Sequence, residues 1–114
     1  MEEYLYLFIG PESDPNATQE EIDANLMEWK DWVDRLKAGG NYVKGNPLND
    51  GSRRVTGKSA PITDGPFVES KEMIVGYMVI VADSLDHAAE LARGCPIYQY
   101  KGVIDVRSIQ DLPM

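Results

Sequence analysis

The sequence predicts an α+β fold of ferredoxin-like order, βαβ-βαβ, with a β-hairpin inserted between the halves. Three observations point there. A short, almost unbroken apolar run opens the chain at residues 4–9. Two later segments repeat apolar residues at helical spacing, each behind a residue suited to cap it. Strand-like apolar segments follow each of them, so strand and helix alternate along the chain.

Residues 4–9, bounded by Gly10-Pro11, read as a strand buried on both faces or at a subunit contact. Thr18-Gln19-Glu20-Glu21 has capping-box spacing, and Ile22, Leu26, Trp29, Val33 and Leu36 form one apolar stripe up to the Gly39-Gly40 stop. Trp32 falls at the edge of that stripe, and core packing is the expected role of both tryptophans. Residues 41–44 suggest a second strand ended by Gly45-Asn46-Pro47. Residues 53–56 and 61–63 suggest the arms of the hairpin. Residues 73–82 make a central strand in which Gly76 marks a bulge or a close backbone approach. Ser84 caps a short second helix that ends at Gly94 and Pro96, and residues 103–109 alternate as a half-buried strand with one polar face.

A sheet covered by helices on one side leaves the other side bare. Tyr4, Tyr6, Phe8, Tyr77 and Tyr98 are the residues expected there, and pairing of two sheets in a homodimer is the expected way to cover them.

At 114 residues the chain is expected to be one domain, residues 1–114. A lone cysteine, Cys95, and a lone histidine, His87, supply neither a disulfide nor a zinc site. Cys95 follows a helix C-terminus, which holds a thiol protonated and inert. His87, in a helical first turn, reads as a solvated side chain. No apolar stretch is long enough to span a membrane and no basic leader precedes the first strand, so a cytoplasmic location is expected. The formal charge of −8, from 11 Lys and Arg against 19 Asp and Glu, argues against nucleic acid. Residues 1–38 carry −7, residues 39–72 carry +1 and residues 73–114 carry −2, so a small anion is best received by the middle third.

Asp64-Gly65-Pro66-Phe67 has turn chemistry, with Asp64 accepting amides and Phe67 facing the core. As a ligand site, Asp64, Glu69, Lys71 and Glu72 gather carboxylates and a cation, with Asp64 and Glu72 as the candidates for a general base. Arg54 and Arg107 suit a carboxylate or phosphate, and Tyr77, beside Gly76, can offer a hydroxyl. No phosphate loop, nucleophile elbow or metal-spaced cluster is present, so no metal or organic cofactor is expected.

The run Thr63 to Glu72, TDGPFVESKE, resembles the signature of the DGPF branch of the YCII-related proteins. The likeness continues through Gly76-Tyr77-Met78-Val79-Ile80, Ser84-Leu85-Asp86-His87-Ala88, Gly94-Cys95-Pro96 and Val103-Ile104-Asp105-Val106-Arg107, with Trp29, Leu36 and Gly39-Gly40 also in place. The resemblance implies a dimeric α+β barrel with clefts near the dimer interface, and a gene setting beside extracytoplasmic-function sigma factors. It also implies a His-Asp pair in the wider group, with the His at the start of the first helix. Here that helix offers Asp23, Asn25 and Glu28 and no His, so the pair does not carry over.

The expected function is therefore binding, with transformation open, of a small organic anion by Arg54, Asp64, Glu69, Lys71, Glu72, Tyr77 and Arg107. The alternative is a regulatory protein that meets a sigma factor through its acidic first helix.

Overall fold

The computed structural model describes residues 1–10, 14–64 and 73–113. In chain order these form β1 (Glu2–Gly10), α1 (Gln19–Ala38), β2 (Tyr42–Pro47), β3 (Arg53–Arg54), β4 (Thr63–Asp64), β5 (Met73–Ala82), α2 (Leu85–Ala92), a 3₁₀ turn (Pro96–Tyr100) and β6 (Val103–Ser108). Four strands in the order β2-β5-β1-β6 make an antiparallel sheet, an α+β arrangement compatible with the ferredoxin-like order. β3 and β4 form a separate two-stranded ribbon. No helix among the described residues is long and apolar enough to cross a membrane.

Local chemistry sets the helix ends. The Thr18 hydroxyl accepts the Glu21 amide at 3.2 Å and the Ser84 hydroxyl accepts the His87 amide at 3.0 Å, each satisfying a donor that the helix itself cannot. After α1 it is Gly40, at φ +75°, that takes the left-handed conformation. His87 is not simply solvated: its Nδ1 accepts the Asp83 amide at 3.0 Å and so extends the cap of α2.

Tyr4, Tyr6 and Phe8 of β1 and Met78, Ile80 and Ala82 of β5 pack with Trp32 and Leu36 of α1, Ala88 and Ala92 of α2, Cys95 and Ile97 in one core. This corrects two expectations. The tyrosines and the phenylalanine of β1 face the helices, because an aromatic row opposite α1 fills the space between sheet and helix. The side without helices instead receives Leu5 and Leu7, across from Val79 and Tyr77 on β5 and from Arg107 and Asp105 on β6. Tyr98 is not on the sheet at all, and its hydroxyl donates to the Ala92 carbonyl at 2.9 Å. Likewise Trp32 is the buried tryptophan, while Ile22 and Leu26 are exposed. The first turns of α1 run beyond the packed core of the described residues, so the apolar period continues past it.

β2 also runs further than its Gly-Asn-Pro sequence suggests. It is an edge strand, where a terminal proline costs no ladder bond, and Gly45 fits because a Cβ there would stand 2.8 Å from the Tyr77 carbonyl oxygen. Gly76 answers the expectation of a close approach: a Cβ would meet the Asn46 carbonyl oxygen at 3.1 Å, and the register of β1 on β5 shifts beside it, between Phe8 and Ile9. Asn41 fastens the start of β2. Its amide donates to the Leu36 carbonyl at 2.8 Å, its carbonyl accepts the Val81 amide at 2.8 Å and its Nδ2 donates to the Val81 carbonyl at 2.9 Å.

Candidate functional site

The overhang of α1 opens a cleft between that helix and the β2–β5 edge of the sheet. Its volume is about 440 Å³, within the roughly 300–1,000 Å³ usual for small-molecule sites. Trp29 and Phe8 meet edge to face at 5.2 Å and 82° and form the inner wall. Tyr42, under the Lys37 ammonium 5.2 Å from its ring centroid, forms another side. Leu26 and Val33 contribute from α1, and Gly45, Pro47, Val75, Gly76 and Met78 from the strands. The two glycines let β2 and β5 close up at the cleft, where a Cβ would meet the facing main chain.

One polar side chain, Asn25, stands in this apolar setting, and a polar pair lies behind it on the other face of the sheet. Asn46 Nδ2 lies 3.5 Å from the Tyr77 hydroxyl, a long contact between residues that stand directly across β2 and β5. Asn25, on α1 one turn before Trp29, lines the cleft, and its Oδ1 is buried without a hydrogen-bond partner among the described residues. Sequence reasoning noted Asn25 only for not being a histidine. The signal was its spacing, three residues after Ile22 and four before Trp29, which puts an amide on the apolar face of the helix.

Of the residues expected to form a site, Tyr77 borders this cleft from β5, with its side chain beside Leu7 on the helix-free face. Asp64 ends β4 on the outlying ribbon, where its carboxylate pairs with the Arg53 guanidinium at 3.1 Å with both side chains mostly in water. Such a pair contributes little to stability. Arg54 stands across from Thr63 on the same ribbon. Arg107 lies on β6, at the sheet edge opposite β2. Glu69, Lys71 and Glu72, with the Gly65-Pro66-Phe67 turn, lie outside the described residues. The ribbon, the interior strand β5 and the edge strand β6 thus hold Arg54 with Asp64, Tyr77 and Arg107 in three separate places.

A second depression, of about 670 Å³, is lined by Glu28, Asp31, Arg35, Arg93, Gly94, Cys95, Pro96 and Gln99. It is broad and polar, and Arg93 is already engaged by Glu90 at 2.9 Å. Burial pushes the Cys95 thiol up to about 12, so the sulfur beside it stays protonated. Among the described residues no three His, Cys, Asp or Glu side chains gather as a metal would require.

Comparison with known proteins adds two findings. The model of the YCII-related domain matches residues 5–113. An uncharacterised protein of Rhizobium meliloti (strain 1021) is 31% identical over 100 residues, which span 79% of this chain and 77% of that protein.

Proposed function

The chain belongs to the YCII-related domain family, and from that premise we propose that it binds a small organic molecule in the cleft between α1 and the β2–β5 edge. The observation that carries this reading is the cleft itself, an aromatic-walled space of about 440 Å³ floored by glycines. The TDGPFVESKE run supports a reading of the chain as a member of the DGPF branch. The protein works as a homodimer. Leu5, Leu7, Tyr77 and Val79 give the sheet face without helices an apolar centre, with Lys44, Asp105 and Arg107 at its margins. A radius of gyration of 16.1 Å, against about 13 Å for a compact chain of this length, also suits a protomer that completes itself on a second copy.

A thermal-shift screen of the purified protein against small carboxylates, phosphates, phenols and neutral aromatics tests the reading. A compound at 100 times its Kd adds about 2.7 kcal/mol, which moves the midpoint visibly. Hits that vanish in Val33→Trp, which fills the cleft, support the site. A silent panel, or hits indifferent to that change, overturns it.

A second reading, a regulatory protein that engages a sigma factor through α1, is favoured by one observation. The acidic first half of that helix exposes Ile22, Leu26 and Met27, an apolar patch of the kind partner surfaces use. Charge reversal at Glu20, Glu21 and Glu28 would abolish such an interaction in a pull-down and leave cleft binding intact.

A further inference from the structure

The cleft's chemistry narrows what it takes, an inference that rests on the reading of the cleft as a small-molecule site. None of the described residues lining it carries a charge, and its walls are the rings of Phe8, Trp29 and Tyr42. A carboxylate or phosphate seated there would give up its hydration with no charged side chain among the described lining residues to replace it, the Lys37 ammonium lying over Tyr42 and outside that lining. The same walls suit a flat apolar body.

Asn25 supplies the one specific demand. Its Oδ1 is buried and unpaired among the described residues, although buried polar atoms are nearly always satisfied. Asparagine is also a poor choice for a helix interior, so the position is not explained by helix formation. The terminal torsion of an asparagine is soft and roughly two-fold, so a flip of about half a turn presents either the oxygen or the NH2 group to the cleft. An amide so placed pairs with a group that both donates and accepts, a hydroxyl or another amide.

We propose that the cleft takes a neutral, ring-bearing apolar molecule with a single hydroxyl or amide group that hydrogen-bonds to the Asn25 side chain. This departs from the anion expected from the charged middle third, whose Arg54 and Asp64 stand on the ribbon outside the cleft.

Three probes of nearly one shape separate the possibilities: 4-ethylphenol, ethylbenzene and 4-ethylbenzoate, each titrated into 15N-labelled full-length protein. The Trp29 indole N–H and the Asn25 side-chain NH2 report by NMR. The phenol is expected to shift both signals and to bind on the order of tenfold more tightly than ethylbenzene, the difference one hydrogen bond to an otherwise unpaired group makes. The benzoate is expected to bind more weakly than either. Asn25→Leu, of similar size, is expected to erase the preference for the phenol while ethylbenzene still shifts Trp29. Equal binding of phenol and ethylbenzene, a preference that survives Asn25→Leu, or tightest binding by the benzoate overturns the inference and leaves the cleft a binding site. If none of the three moves the Trp29 signal, in either protein, the small-molecule reading falls with it.

Discussion

Tyr6 and Trp32 stack with their ring centroids 6.1 Å apart and their planes 18° from parallel, and each hands its polar hydrogen to a main-chain carbonyl of α2. The Tyr6 hydroxyl donates to Ala88 at 2.5 Å and the Trp32 indole to Leu91 at 3.2 Å. One residue of the sheet and one of α1 thus hold the other helix jointly. Tyr6→Phe should cost about 0.5–1.5 kcal/mol and Trp32→Phe about 2–4 kcal/mol by urea unfolding. Because the two rings touch and share a helix, the double variant should lose less than the sum, with a coupling of about 0.5–1.5 kcal/mol. Strict additivity would show that the stack holds nothing in common.

Alkaline pH should destabilise the fold through groups that burial keeps neutral. The Cys95 thiol rises from its ordinary 9.0 to about 12 in the folded protein, chiefly because burial penalises the thiolate, and burial likewise raises the Tyr6 hydroxyl. A group held protonated in this way favours folding fully below its ordinary value. Above pH 9 the unfolded chain ionises first, and the thiol's contribution is lost as pH climbs towards 12. Urea midpoints should therefore fall steadily above pH 9, and Cys95→Ala should fall less steeply between pH 9 and 10, before the tyrosines join. Parallel slopes in the two proteins would refute the role given to the thiol.

The start of α2 rests on two neighbouring caps. Ser84→Ala should cost about 1 kcal/mol, and His87→Ala, which frees the Asp83 amide, a similar or smaller amount. Thermal unfolding of the two single variants and the double variant measures both, and a neutral Ser84→Ala would contradict the capping geometry.

Leu7→Arg should leave the fold intact and abolish the proposed homodimer. Leu7 faces away from the helices, across from Tyr77 and Asp105, so the new charge enters no core but does enter the face without helices. Analytical ultracentrifugation should give a dimer for the wild-type protein and a monomer for the variant, with unchanged circular dichroism. A wild-type monomer would dismiss that face as an interface.

Much of this architecture was legible in the amino acids, and the failures share a cause. Thr18, Ser84 and Gly40 act on their own neighbours, so their caps could be read without knowing the fold. Alternation in β1 showed that Tyr4, Tyr6 and Phe8 share a face, but Leu5 and Leu7 make the other face equally apolar. Only the position of α1 decides between them. The helical period marked Ile22 and Leu26 for the core because periodicity registers direction and not how far the sheet extends beneath. The charged residues assembled for a site were neighbours in sequence, and strand geometry dispersed them: Asp64 to the ribbon and Arg107 to the far edge. Asn25 escaped notice because its meaning depends on what surrounds it once α1 lies over the sheet.

α1 behaves as a cantilever. Trp32, Leu36 and the triple linkage of Asn41 to Leu36 and Val81 clamp its last turns, while Ile22 and Leu26 project past the support. Such a beam bends most at its free end, so amide exchange along the helix should quicken from the residues near Leu36 towards those near Gln19. The cleft lies under the free span, with Asn25 on it. A molecule bridging Asn25 to the strands would prop the beam, so occupancy would be felt as stiffening through several turns of helix beyond the atoms it touches.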